Sequence, residues 1–486
     1  VAETVEVGDR GSDGWLLDQL GRQLLAQGGQ QDQVKALDAY FTGNPPLPGS
    51  APKARDAYRL FQKVSRLNLA EAIVLSRTNR MLVTGFRTGA DGDEAGDKAA
   101  RDLWAASDLD VGAADVHQAM LAHGRAYVIV APDDDAGGAP VATFEDARQV
   151  TTLNDPRRPD RVRAGLKVFR DEAEGLDFAY LYLPGRVLVA SKQIPVAGAD
   201  TALGGFRAAD WTWEPDRFEK YGEGLGDVVG VVRFLNRAAM GEFEAHTDTL
   251  DRINTMILQR VVTAVMQAFR QRAIEGKLPE HDSRGNLIDY AEVFASGPDA
   301  LWELGEGAKI WESAALDLTP MLSSVKDDIM QLAAATQTPM HMFTPDAAAG
   351  SAEGASLMRE GVVATTKDRI NRATSGWRRV MSLMFRMAGD EQRANLAELA
   401  PIWAPPEQWS MAERADASSK AKDVPWRSRM LHIWGFPSDL VDRMETERAT
   451  DAFLEQALVA AASPPPSAAS ATTAPAAEPV GSGGGA

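Results

Sequence analysis

The chain has no cysteine, which excludes disulfides, thiolate metal sites and a cysteine nucleophile and agrees with a reducing cytoplasm. It has no apolar run of about 18 residues, the length a membrane-spanning helix needs. Its polar start, Val1 to Arg10, lacks the pattern of a signal peptide, so a soluble product that is not secreted by the usual route is expected. Basic residues are in short supply: 51 Lys and Arg face 69 Asp and Glu, a formal charge of −18. That balance argues against a broad basic face that holds nucleic acid by displacing counterions. It leaves room for a duplex that slides past an acidic lining with few tight phosphate contacts. The six histidines, His117, His123, His246, His281, His341 and His432, show no paired metal spacing and no Gly-flanked serine partner. No Walker-type lysine loop is present, and Asp327-Asp328 would diverge by about 100° on a helix, as on a solvated face. No enzyme constellation, cofactor site or metal site emerges.

What is present is helix. At 486 residues the chain can bury a sizeable core in two or three domains. Thr319 to Thr338 opens with Thr319 as an expected N-cap and Pro320 at the first helical position, and stops where Thr338 meets Pro339. Its stripe is Leu322, Val325, Ile329 and Leu332. Ser356 to Ala388 carries a regular seam, Val363, Thr366, Ile370, Ala373, Trp377, Val380, Met384 and Met387, spaced for packing against other helices. Between them, Pro339 to Ala355 is a run of small residues suited to a mobile element.

Upstream, Gly14 to Leu37 reads as an amphipathic helix before the break Asn44-Pro45-Pro46-Leu47-Pro48-Gly49, and Ala51 to Leu82 and Lys98 to Ala122 as further helix. From about 124 to 215 the pattern turns to a small mixed β region, with strands expected at 124 to 130, 141 to 144, 162 to 169, 178 to 183 and 186 to 189. Asp133-Asp134-Asp135 lacks the alternating ligands of a calcium loop and reads as a solvated turn. Gly222 to Gly230 lacks the strand before and the helix after that a dinucleotide fingerprint needs. Gly241 to Gly276 contains no internal Gly or Pro and, if wholly helical, would span about 50 Å. Lys277 to Ile310 is irregular and reads as a compact excursion at the tip of two antiparallel helices. Pro401 to Pro406 is a proline-stiffened link, Trp409 to Leu458 is helical again, and Ser463 to Ala486 is expected to be disordered. The fold class is α+β, mainly helical.

The order of these parts resembles phage portal proteins of the SPP1-like family. The residues that carry the resemblance are Gly124-Arg125-Ala126-Tyr127-Val128 after a helix, Val229 to Asn236 leading into a long helix, and Leu332 to Phe343 ending in the loop. Gly230 departs from the pattern, which has Pro there. The resemblance implies a ring, of twelve subunits in the virion, at one capsid vertex through which double-stranded DNA is packaged and ejected. It implies a wing at 1–240, stem helices at 241–272 and 317–338, a clip at 273–316, a tunnel loop at 339–355, a long wing helix and link at 356–400, and a crown at 401–462, with a disordered tail at 463–486. The terminase large subunit, a head-completion adaptor, and the major capsid and scaffolding proteins would be partners, with no membrane. Assembly would take place in the host bacterial cytoplasm. Thr344, Asp346, Gly350, Ser351 and Glu353 would face the channel; without Lys or Arg, the loop could touch DNA by shape and backbone but not clamp phosphates. Lys326 and Lys309 are candidates to approach DNA or a partner's acids. The alternatives are a nucleotide-binding enzyme using Gly222 to Gly230, or a monomeric helical scaffold or adaptor.

Overall fold

A computed structural model describes residues 3–49, 56–90, 96–133, 139–194, 205–215, 228–268, 272–275, 280–281, 284–285, 287–288, 309–312, 317–344, 352–407, 411–436 and 438–462. The chain divides into two compact units, Val1–Gln408 and Trp409–Ala486. About half of it is helical with several small sheets, which is the expected α+β class.

In the larger unit, β1 (Glu3–Thr4) precedes α1 (Asp13–Leu25) and α2 (Gln30–Phe41). One helix was expected here, but Gly28 at φ 73° turns the backbone into a region that side chains with a Cβ disfavour, and the helix breaks. Next come α3 (Asp56–Val64), α4 (Ala70–Thr78), β2 (Val83–Arg87), α5 (Lys98–Ala106) and α6 (Leu109–His123), the last two split at left-handed Asp108 (φ 49°). The β region holds β3 (Arg125–Asp133), β4 (Ala139–Glu145), β5 (Val150–Asp155), β6 (Arg158–Asp171), β7 (Leu176–Leu183), β8 (Arg186–Gln193) and β9 (Thr212–Trp213), followed by β10 (Val231–Leu235). Every pairing is antiparallel, so "mixed" is corrected to two antiparallel sheets, ordered β1-β9-β8-β7-β6-β5 and β10-β3-β4. Gly230 leaves the strand geometry intact: its carbonyl accepts from Val130 N (2.9 Å) just before β10 begins.

Helix α7 (Thr247–Ala268) is 22 residues, about 33 Å. It is shorter than the expected 50 Å because the chain turns to strand at β11 (Arg272–Glu275), which pairs antiparallel with β12 (Lys309–Glu312). A two-stranded ribbon therefore brackets the irregular excursion. After α8 (Thr319–Thr336) and a 3₁₀ turn at Met340–Met342 comes α9 (Ala352–Met387), 36 residues. It starts four residues earlier than expected. The proline link proves to contain β13 (Ala400–Trp403), paired with β2.

The seam of α9 is the centre of the main core: Thr366, Ala373, Trp377, Val380 and Met384 are fully buried. Trp377 packs 4.9 Å from the rings of both Trp104 and Phe234. Gly376 permits that approach, since a Cβ there would lie 2.3 Å from the Phe234 ring. Burying each large apolar side chain contributes about 1.5–3 kcal/mol. A second core places Leu17, Leu20 and Leu24 of α1 on the six-stranded sheet against Leu166, Leu181 and Trp211.

The smaller unit contains α10 (Met411–Lys420), α11 (Trp426–Arg429) continued by a π-helical turn (Met430–Trp434), and α12 (Ser438–Ala462). Gly435 at φ 72° makes the expected break. The expected disordered tail, 463–486, lies outside the described residues.

Candidate functional site: the junction beneath the loop

Helices α7 and α8 pack through Leu250, Ile253 and Ile257 against Val325, Ile329 and Leu332, all buried. Leu322, the fourth member of the expected stripe, is 42% exposed. Asp327 is exposed, but Asp328 is not simply solvated as expected: its side chain is 14% exposed and accepts from Arg252 Nη2 at 2.9 Å across the pair. The N-terminal cap also differs from expectation. Asp317, not Thr319, supplies the acceptor, taking Thr319 N at 2.9 Å. Hydrogen bonds from the Thr319 side chain and backbone hold its carboxyl below the usual aspartate value.

Helix α8 ends at left-handed Gln337 (φ 53°), with Thr338 N donating back to Ala333 O at 2.9 Å. A helix end leaves carbonyls without intrahelical donors. Here a buried guanidinium fills the gap. Arg77, from the last turn of α4, donates through Nη2 to the Thr336 carbonyl and through Nη1 to Thr338 Oγ1 (3.4 Å) and the Ile73 carbonyl (2.8 Å). A cation there also complements the negative end of the helix dipole. Arg77 Nε lies 3.3 Å from Glu242 Oε2. Glu242, five residues ahead of α7, accepts from Arg369 Nε of α9 at 2.6 Å and from Asn236 Nδ2 at 2.9 Å.

One carboxylate thus joins the entry to α7, the exit from α8 and the middle of α9. Because the exit from α8 and the entry to α7 meet at Arg77 and Glu242, the two helices run antiparallel towards the β11–β12 ribbon. Burial alone would push the Glu242 carboxyl up. The hydrogen bond from Arg369 and the charges of Arg77 and Arg369 outweigh it and hold the carboxyl below the usual glutamate value. Burial pulls Arg77 below the ordinary guanidinium value, opposed by Glu242.

The residues expected to face a channel are only partly visible. Thr344 is half-buried and closes the turn after α8, its N donating to Met340 O at 3.0 Å. Asp346, Gly350 and Ser351 lie outside the described residues, and Glu353 is placed by its backbone alone. Lys326 is exposed on α8, and Lys309 opens β12. The structure fixes the first end of the segment, at Pro339–Thr344. The sequence reading missed Arg77, Glu242 and Arg369. The available signal was Arg77 itself, a charge set within the apolar run of α4.

Among the described residues no group of three or more His, Cys, Asp or Glu could hold a metal, and no helix is long and apolar enough to cross a membrane. His117 is wholly buried and accepts from Trp377 Nε1 at 2.8 Å, a core role; burial pushes it down to about 3. Most of Gly222 to Gly230 lies outside the described residues, and its end leads into a strand. What the junction can do is mechanical: around the buried Glu242 carboxylate and its two guanidiniums it ties α4, the entry to α7, the exit from α8 and the middle of α9 together.

The model of the family described as phage portal protein, SPP1 Gp6-like, matches residues 30–449. No curated protein matches the chain.

Proposed function

This chain belongs to the SPP1 Gp6-like family of phage portal proteins, and we propose that it is the non-enzymatic ring, a dodecamer in the virion, through which double-stranded DNA enters and leaves the capsid. In this reading α7 and α8 are the stem. The excursion bracketed by β11 and β12 is the clip, which meets the terminase large subunit during packaging and the head-completion adaptor afterwards. The loop after α8 lines the channel, α9 backs it, and the helices within 401–462 form the crown. The capsid and scaffolding proteins are the remaining contacts.

The observation that carries this reading is the junction at Glu242. In this reading it gives the stem pair and α9 a common base at the root of the segment expected to form the tunnel loop. A loop held at its root and short of cations can follow a moving duplex without gripping it. Leu322 and Met330, 42% and 50% exposed on α8, leave apolar surface that one chain does not cover and a neighbour in a ring would.

Deleting Asp346 to Gly350 is expected to leave assembly intact and to reduce DNA packaged per capsid in a reconstituted packaging reaction. Undiminished packaging and retention by the deletion would remove the loop from the mechanism.

A further inference from the structure

A cleft of about 620 Å³ opens between the β5–β6 hairpin, β10 and the middle of α9. Six guanidiniums line it, from Arg158, Arg161, Arg233, Arg372, Arg379 and Arg386, against one lining carboxylate, Asp160. Arg379 reaches Asp160 at 3.4 Å, and Arg372 turns to Asp368 at 3.0 Å. Arg158, Arg161 and Arg386 have no acidic partner among the described residues, and Arg386 Nε is buried without a hydrogen bond. Burial, together with the guanidiniums of Arg125 and Arg379, pulls Arg233 below the ordinary arginine value, yet a guanidinium stays charged at any working pH. In a chain of formal charge −18, such a concentration of positive charge is unbalanced by its own surroundings.

The floor is aliphatic, built from Val229, Val232 and Leu383. A sugar–phosphate backbone carries no aliphatic side chain to fill such a floor. An acidic segment carrying an aliphatic side chain matches both chemistries, and the chain carries one itself. At the start of α6, Val111 is 71% exposed, and Asp108, Asp110 and Asp115 are exposed around it. Asp110 is fixed in place by accepting from Trp104 Nε1 at 3.1 Å.

We propose that the cleft receives the acidic turn Asp108–Asp115 of a second copy of this chain, with guanidiniums on its carboxylates and Val111 on the aliphatic floor. The inference rests on the ring reading and names a subunit contact for it. Cleft and turn are different surfaces, so the contact is heterologous and passes from copy to copy until a ring closes. Opposite charges at the contact let strongly acidic subunits associate despite their mutual repulsion.

The test uses the full chain and a charge swap. Arg158→Glu/Arg161→Glu and Val111→Lys/Asp115→Lys, all at exposed positions, should each keep the wild-type circular dichroism spectrum. Each should also raise the protein concentration for half-assembly, read by native mass spectrometry, by about ten-fold or more. Combining the two pairs should recover most of that shift. Wild-type assembly by both pairs, or no recovery in the combination, overturns the proposal. Because the chain lacks cysteine, Ser375→Cys at the cleft takes a maleimide benzophenone at one place. Cross-links to residues near 108–115 of another copy are expected. Links confined to the same chain, to another region, or to added duplex DNA overturn the assignment. A wild-type chain that never assembles instead contradicts the ring reading on which it rests.

Discussion

Two groups of arginines in the larger unit differ in how their charge is met. At the junction, Arg77 and Arg369 have side chains 1% and 9% exposed, and Glu242, 6% exposed, lies between them with its oxygens hydrogen-bonded. In the cleft, six arginines face one lining aspartate; Arg379 reaches it, Arg372 turns to Asp368, and Arg158, Arg161 and Arg386 have no acidic partner among the described residues. Arg369 also pairs with Asp368, so a closed group whose charges are met holds its own chain in place, because each charge has already exchanged water for a partner. An open and unbalanced group still has its attraction to offer. The first belongs to folding and the second to association, and substitutions should separate them.

Glu242→Ala should have the largest effect, since it leaves two buried guanidiniums without their shared acid. A loss of about 3–5 kcal/mol in urea unfolding is expected. A loss near zero would mean the junction does not hold the helices.

Acid should come next. His117 has its folded value depressed to about 3, against about 6.5 when unfolded. Its contribution is therefore fully present above pH 6.5 and is lost as pH falls from there towards 3, because the unfolded chain takes up a proton that the folded one refuses. Between pH 7 and pH 4 this amounts to about 3 kcal/mol. Glu242, also depressed, adds to the loss only below its unfolded value of about 4.3. His117→Gln should flatten the upper part of that profile, and an unchanged profile would assign the acid sensitivity elsewhere.

The smallest effect on folding is expected in the cleft. Arg158→Ala with Arg161→Ala should change unfolding free energy by no more than about 0.5 kcal/mol, while shifting assembly. A large loss of stability would make the cleft a structural feature like the junction.

The difference between these regions also governs what the sequence reveals. The α9 seam was legible because apolar spacing is local, and each seam residue from Thr366 to Met384 is at most 8% exposed. The hairpin strands β6 to β8 were legible for the same reason. The breaks at Gly28 and Asp108 were not, since each depends on one residue entering the left-handed region. Strand β13 was hidden because Pro401 suggests a link, although opposite Phe86 it can sit in a two-stranded ribbon. The junction and the cleft were hidden more thoroughly. Arg77 and Thr336 lie 259 residues apart, and no periodicity relates them. The resemblance to portal proteins supplied the family and the loop but no side chain of either arginine group.

The most direct measurement is imaging of the purified full chain by negative-stain electron microscopy, with its mass measured in parallel. Closed rings with a central hole are predicted, at a mass that is a whole multiple, expected to be twelve, of 52.3 kDa. A monomer at every concentration and salt would contradict the account.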